Sequence, residues 1–148
     1  MKKLLCAAAL VLVAALPRAA VAQTAADSAA IRQTALDYVE GWYSGDAARM
    51  ERAVHPELAK RIVQTSPEGR SRLDHMGAMR LVQGTRGGGG TETPEAERDR
   101  EVRILDTFGN AASVRATMSG WIDYMHLGRF NGRWVIVNVL WELKPESP

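Results

Sequence analysis

The sequence predicts an α+β domain: three helices, then an antiparallel sheet of about four main strands, leaving room for a short extra one. Three observations predict it. Ile31, Ala35, Tyr38, Val39 and Trp42 recur at the spacing of one helical face. From Glu101 onward, strand-like runs are separated by the turn pairs Gly109-Asn110, Ser119-Gly120 and Asn131-Gly132. The helical and strand-like parts follow each other rather than alternate, which places the helices on one face of the sheet.

The first 22 of the 148 residues read as a secretory leader. Lys2 and Lys3 give a positive start, residues 4–16 form an apolar run too short for a membrane span, and Ala20-Val21-Ala22 is a small-x-small cleavage site. A cut after Ala22 would leave a single domain over residues 23–148, periplasmic or secreted, with no membrane attachment. Cys6, the single cysteine, would leave with the leader, so the domain would be held by packing without disulfides. Losing Lys2, Lys3 and Arg18 moves the net charge from +2 to −1. A nearly neutral domain argues against nucleic acid as a partner.

In chain order, Ser28 is placed to cap the first helix, and Gly45 to end it in the left-handed conformation. Asp46 caps a second, shorter helix with Met50, Ala53 and Val54 on its apolar face, ended by His55-Pro56. Residues 57–64 fit a helical turn or a short strand. Ser71 and Asp74 form a variant capping box, which predicts a third helix over residues 72–83 with Gly84 as its stop. The run from Arg86 to Thr91 holds four consecutive glycines and reads as a mobile loop. It lacks the lysine and flanking strand of a phosphate-binding loop.

The last run, Arg133 to Leu143, is nearly all apolar. Simple two-residue turns would set Asp123 opposite Leu140 and Met125 opposite Asn138. One sheet face would then carry Leu105, Ala112, Val114, Ala116, Met118, Trp121, Asp123, Met125, Leu127, Trp134, Ile136, Asn138 and Leu140. This more apolar face is expected to receive the helices. The other would carry Tyr124, His126, Val135, Val137, Val139 and Trp141, and its apolar members suggest a homodimer through the outer face. A bulge at Ser119-Gly120 would scramble both sets.

On this register Asp123 and Asn138 are polar groups in an apolar cup and need partners. Asp123 is the candidate catalytic base, and its plainer role is an ion pair with an arginine or a loop cap. Tyr38, Trp42 and Trp121 are candidate ligand-stacking groups beside Asp123 and Asn138, with core packing the alternative for the aromatics. His126 falls on the opposite face from Asp123, so the two cannot form a dyad. His55 fits a loop role and His75 a solvated helix start. The histidines have no metal-ligand spacing, so no metal and no cofactor is expected. No nucleophile motif is present.

Three stretches, YVEGWYSGDAARMERAVHPELAKRIV, RLDHMGAMRLVQGTRGGG and ILDTFGNAASVRATMSGWIDYMHLGRFNGRWVIVNVLWELKP, carry a resemblance. Gly45-Asp46, His55-Pro56, the Gly-Asn turn before Ala111-Ala112, and Asn131-Gly132-Arg133-Trp134 are its specific pieces. The chain resembles the "putative lumazine-binding" branch of the nuclear-transport-factor-2-like (NTF2-like, SnoaL-like) superfamily over about residues 31–145. The resemblance implies a cone, a strongly curved sheet wrapped on three helices with a cavity inside, and frequent homodimers through the sheet. Related domains include ketosteroid isomerases, polyketide cyclases, dehydratases and non-catalytic binding modules, so the fold alone leaves the activity open.

The leading expectation is an exported, non-catalytic domain holding a small flat organic ligand in its cone. The alternatives are an isomerase, dehydratase or cyclase using Asp123 as base, and a homodimeric structural or partner-binding module.

Overall fold

A computed structural model describes residues 24–145. The expected leader lies outside the described residues. The first helix, α1 (Ala25–Ser44), is capped by Thr24, whose hydroxyl accepts from the Asp27 backbone N–H at 3.0 Å, four residues before the expected cap at Ser28. Gly45 (φ 69°) ends it as expected. Asp46 accepts from Arg49 N–H at 2.9 Å and caps α2 (Ala47–Ala53). Val54 is not helical and begins a strand.

The stretch that fitted either a helical turn or a strand is β1 (Val54–Thr65). The chain turns at Ser66–Arg70 into β2 (Ser71–Gly77), and α3 (Ala78–Arg86) follows. The helix expected over residues 72–83 is therefore half strand. Seven residue pairs with β1 outweigh the local capping signal of Ser71 and Asp74. Half-buried Asp74 and Met76 alternate with exposed Leu73 and His75, the period of a strand.

The glycine run is not a loose coil. Gly87, Gly88 and Gly89 donate backbone hydrogen bonds to Gln83, Thr85 and Gly84 at 2.9–3.0 Å. Gly89 and Gly90 pack closely against Trp42: a Cβ on Gly90 would sit 2.4 Å from Trp42 Cδ1 and 2.7 Å from its backbone oxygen. Only glycine fits there.

A short 3-10 turn (Glu95–Glu97) leads into β3 (Glu101–Phe108), β4 (Ala111–Thr117), β5 (Trp121–Phe130) and β6 (Arg133–Leu143). The sheet has six strands in the order β2-β1-β6-β5-β4-β3. β1 runs parallel to β6, and every other pairing is antiparallel. The β1–β6 register shifts between Val54 and Ala59, around Pro56, which has no N–H to give the ladder.

Ser119-Gly120 makes the simple link expected, with Thr117 opposite Ile122. The bulges fall elsewhere, at Leu105 in β3 and at Val137 in β6. From the Asn131-Gly132 turn to Ile136 the final hairpin keeps the expected pairing. Beyond Val137 it slips by one: Asp123 faces Trp141, Met125 faces Val139, and His126 faces Asn138. One extra residue exchanges the faces of everything after it. Val139 is therefore buried, Trp141 packs on the core, and Asn138 and Leu140 turn outward. Leu105 is also exposed. The outer apolar patch expected from Val135, Val137, Val139 and Trp141 is correspondingly reduced, since Val135 is buried as well.

The core fills the concave side. Ile31, Tyr38 and Val39 from α1 meet Val114, Ala116, Met118, Met125, Leu127 and Ile136 from the sheet. Tyr43 pins the β4–β5 link, its hydroxyl accepting from the Ser119 backbone N–H at 2.8 Å.

Candidate functional site

β1 carries Leu58, Lys60 and Ile62 on one face, all buried. Period two forces the lysine to the concave side between its apolar neighbours. There its ammonium donates to Tyr38 Oη at 2.8 Å and to Asp123 Oδ1. Trp121 Nε1 donates to the other Asp123 oxygen at 2.9 Å. The Lys60 Nζ also lies 4.8 Å from the centre of the Trp141 ring. Asp123 is 0 % exposed and Lys60 5 %.

This network ties α1, β1, β5 and β6 together at one point. Burial pushes the Tyr38 phenol well above its ordinary value, and the nearby Asp123 charge adds to that. Burial lowers the Lys60 ammonium, while Asp123 pulls it back toward the charged form. Tyr38 thus stays a neutral phenol that accepts from Lys60, and Lys60 and Asp123 form a buried ion pair.

Three tryptophans run outward from this centre. Trp121 sits edge-on to both Trp141 and Trp42, at 6.1 Å in each case. Trp42 is in turn covered by Gly89 and Gly90.

Beside Lys60 and Trp141 the cone opens into a recess of about 390 Å³, walled by Ile62, Asp74, Met76 and Arg80. Other surface recesses of similar size, about 310–330 Å³, lie on the outer face near Phe108 and Phe130, between α2 and α3, and beside Tyr43. The first of these reaches His126, but none of the three touches the buried Lys60–Asp123 pair. The recess at Lys60 combines a nearly buried charge, an aromatic ring and an open mouth, so it is the candidate site.

The expected site residues divide accordingly. Tyr38, Trp42, Trp121 and Asp123 do come together, but as the packed floor and wall of the cone and not as its lining. Asp123 has no exposed surface, and both its oxygens are occupied. Asn138 lies on the outer face, where it accepts from Arg61 Nη1 at 2.9 Å and meets His126 Nδ1 at 3.2 Å. His126 is on that outer face too, as expected. His55 Nδ1 accepts from the Glu57 backbone N–H at 3.1 Å and its ring stacks on Phe130, a local loop role. His75 lies on β2, at the rim of the recess, and not at a helix start. Among the described residues no group of His, Cys, Asp and Glu could hold a metal ion.

Lys60, Trp141 and Arg80 were missed as site residues. Leu58-x-Lys60-x-Ile62 was the available signal for the first: a lysine in phase with two apolar residues if the segment, open between a helical turn and a strand, is taken as a strand. Trp141 was hidden by the bulge at Val137. Arg80 was hidden by the misplaced start of α3.

The family and the fold can be fixed from outside the chain. The model of the family described as "Putative lumazine-binding" matches residues 26–142, and the chain belongs to that family. An NTF2-like protein of unknown function from Shewanella baltica OS155 superposes with a TM-score of 0.61 at 20% identity, covering 82% of this chain and 96% of that one. An NTF2-like protein of unknown function from Methylobacillus flagellatus KT gives 0.60 at 20% identity, covering 82% and 94%. A Nostoc punctiforme protein of unknown function with a cystatin-like fold gives 0.59 at 16% identity, covering 84% and 96%. A comparison with curated proteins returned no match. These likenesses establish the NTF2-like α+β fold, with six strands in the sheet where about four main ones were expected.

Proposed function

We propose that the chain is an exported small-molecule-binding domain that takes a flat ligand in the recess between Lys60 and Trp141. The observation that carries the proposal is that recess: about 390 Å³, floored by a lysine and an indole ring within 4.8 Å of each other. A volume of this order suits a small organic molecule. A ring laid on Trp141 would gain stacking, and Lys60 would offer the third of its N–H donors, since two are engaged by Tyr38 and Asp123. A flat heteroaromatic such as the lumazine of the family's description fits these demands.

The alternative of an enzyme with Asp123 as base asks a fully buried, doubly hydrogen-bonded carboxylate to reach a substrate, so it is the weaker reading. Export rests on the leader-like residues 1–22; no helix among the described residues is long and apolar enough to cross a membrane. A homodimer through the outer face would centre on Tyr124 and Leu140, paired and half exposed between Arg61 and Arg115.

Native mass spectrometry of the mature protein, purified gently from the host that makes it, tests the main point. The expected result is a stoichiometric added mass that Trp141→Ala removes. No added mass, together with no binding from a panel of pteridines, flavins and aromatic metabolites, would refute it.

A further inference from the structure

The charges around the recess do not cancel. Lys60 is matched by Asp123. Asp74 on the wall is matched by Arg72 at 3.1 Å, and Arg72 is further held by Gln64 at 2.5 Å. The side chain of Arg80, the other charged residue of the wall, makes no ion pair or hydrogen bond with any described residue. His75 at the rim adds positive charge only when protonated. One residue with an uncompensated charge, Arg80, therefore lines a recess whose floor is an indole and an ammonium.

We propose that the ligand of this recess is an aromatic monocarboxylate, with Arg80 as the residue that selects for its charge. The inference rests on the proposed ligand-binding reading of the same recess. A guanidinium offers paired N–H donors that match the two oxygens of a carboxylate. The ring of such a ligand lies against Trp141, and a ring oxygen or nitrogen meets the remaining Lys60 N–H. A dianion would leave one charge without a partner, because Lys60 is already neutralised by Asp123. A cation would face Arg80 directly.

The test uses 2-naphthoate and 2-naphthamide, which share ring and shape but differ in charge. Binding is followed by calorimetry and by tryptophan fluorescence, for the wild-type domain and for Arg80→Gln and Arg80→Lys. Arg80 is exposed, so neither substitution disturbs the core. The wild-type domain should prefer the carboxylate by about tenfold or more, as expected for hydrogen bonds to a charged group. Arg80→Gln should bring the ratio close to one through loss of carboxylate affinity alone, and Arg80→Lys should restore part of it. Added salt should shrink the wild-type preference, since Arg80 is open to solvent. Equal binding of acid and amide by the wild type, or an undiminished preference in Arg80→Gln, would overturn the inference and leave the ligand-binding reading standing. Binding of neither compound, nor of the pteridine and flavin panel, would overturn both.

Discussion

Replacing Asp123 by leucine should destabilise the domain by about 3–5 kcal/mol, the usual cost of stripping one partner from a buried ion pair. The structure supports a value within that range. Asp123 is 0 % exposed and Lys60 5 %, so solvent makes up little of the lost partner. The Trp121 indole N–H loses its acceptor as well. For a domain of this size the loss corresponds to a fall in Tm on the order of 10–20 °C. Urea denaturation followed by circular dichroism measures it, as a lower midpoint with an unchanged slope. Adding Lys60→Met to Asp123→Leu removes the orphaned ammonium, and the double variant should recover to within about 2 kcal/mol of wild type. The single variant should also carry a pH signature. Burial already depresses Lys60, and without Asp123 the charge that opposes it is gone. Its folded pKa then lies below the unfolded value of about 10.4, so the unfolded chain binds more protons across that interval. Stability of the variant relative to wild type should therefore rise as the pH is raised from 7 toward 10. A single-variant cost under about 1 kcal/mol, or a gap that widens with pH, would refute the buried-pair account.

Three further outcomes follow from the same geometry. Gly90→Ala forces a methyl group into the Trp42 ring and should cost about 1–3 kcal/mol, with a shift in tryptophan emission; a mobile loop would tolerate it without measurable change. Asp46→Ala removes the cap of α2 and should cost about 1 kcal/mol in the same denaturation assay. Asn138→Ala should leave affinity for any ligand of the recess unaltered in calorimetry, because its side chain lies on the other face of the sheet with Arg61 and His126.

What was legible in the sequence was local. Gly45 and Asn131-Gly132 each announce a left-handed backbone conformation that few other residues adopt well, Asp46 announces a side-chain cap, and each stands where expected; Gly45, Asn131 and Gly132 all have positive φ. The helical face of Ile31, Ala35, Tyr38 and Val39 was equally plain, because its period repeats over several turns. What failed depended on distant partners. β2 looked helical because its capping signal is local, whereas its pairing with β1 is a tertiary effect. The face assignment failed at two single residues: Leu105 and Val137 leave no composition signal as bulges, yet the second turns Trp141 into the cone and Asn138 out of it. Asp123 was placed inside correctly because the extra residue lies in β6, so the alternation of Asp123, Met125 and Leu127 along β5 is unbroken. The plainer role expected for it was an ion pair with an arginine or a loop cap, and its partner is Lys60, on a strand that could not be told from a helical turn.

The recess at Lys60 and Trp141 is proposed as the place where the domain meets its ligand. Protein-observed ¹H–¹⁵N NMR during titration with 2-naphthoate tests it most directly. Shifts should concentrate at the Trp141 indole, Ile62, Met76 and Arg80, while Asn138 and His126 stay still. Shifts confined to the outer face, or none at saturating concentrations of the carboxylate and of the pteridine and flavin panel, would contradict it.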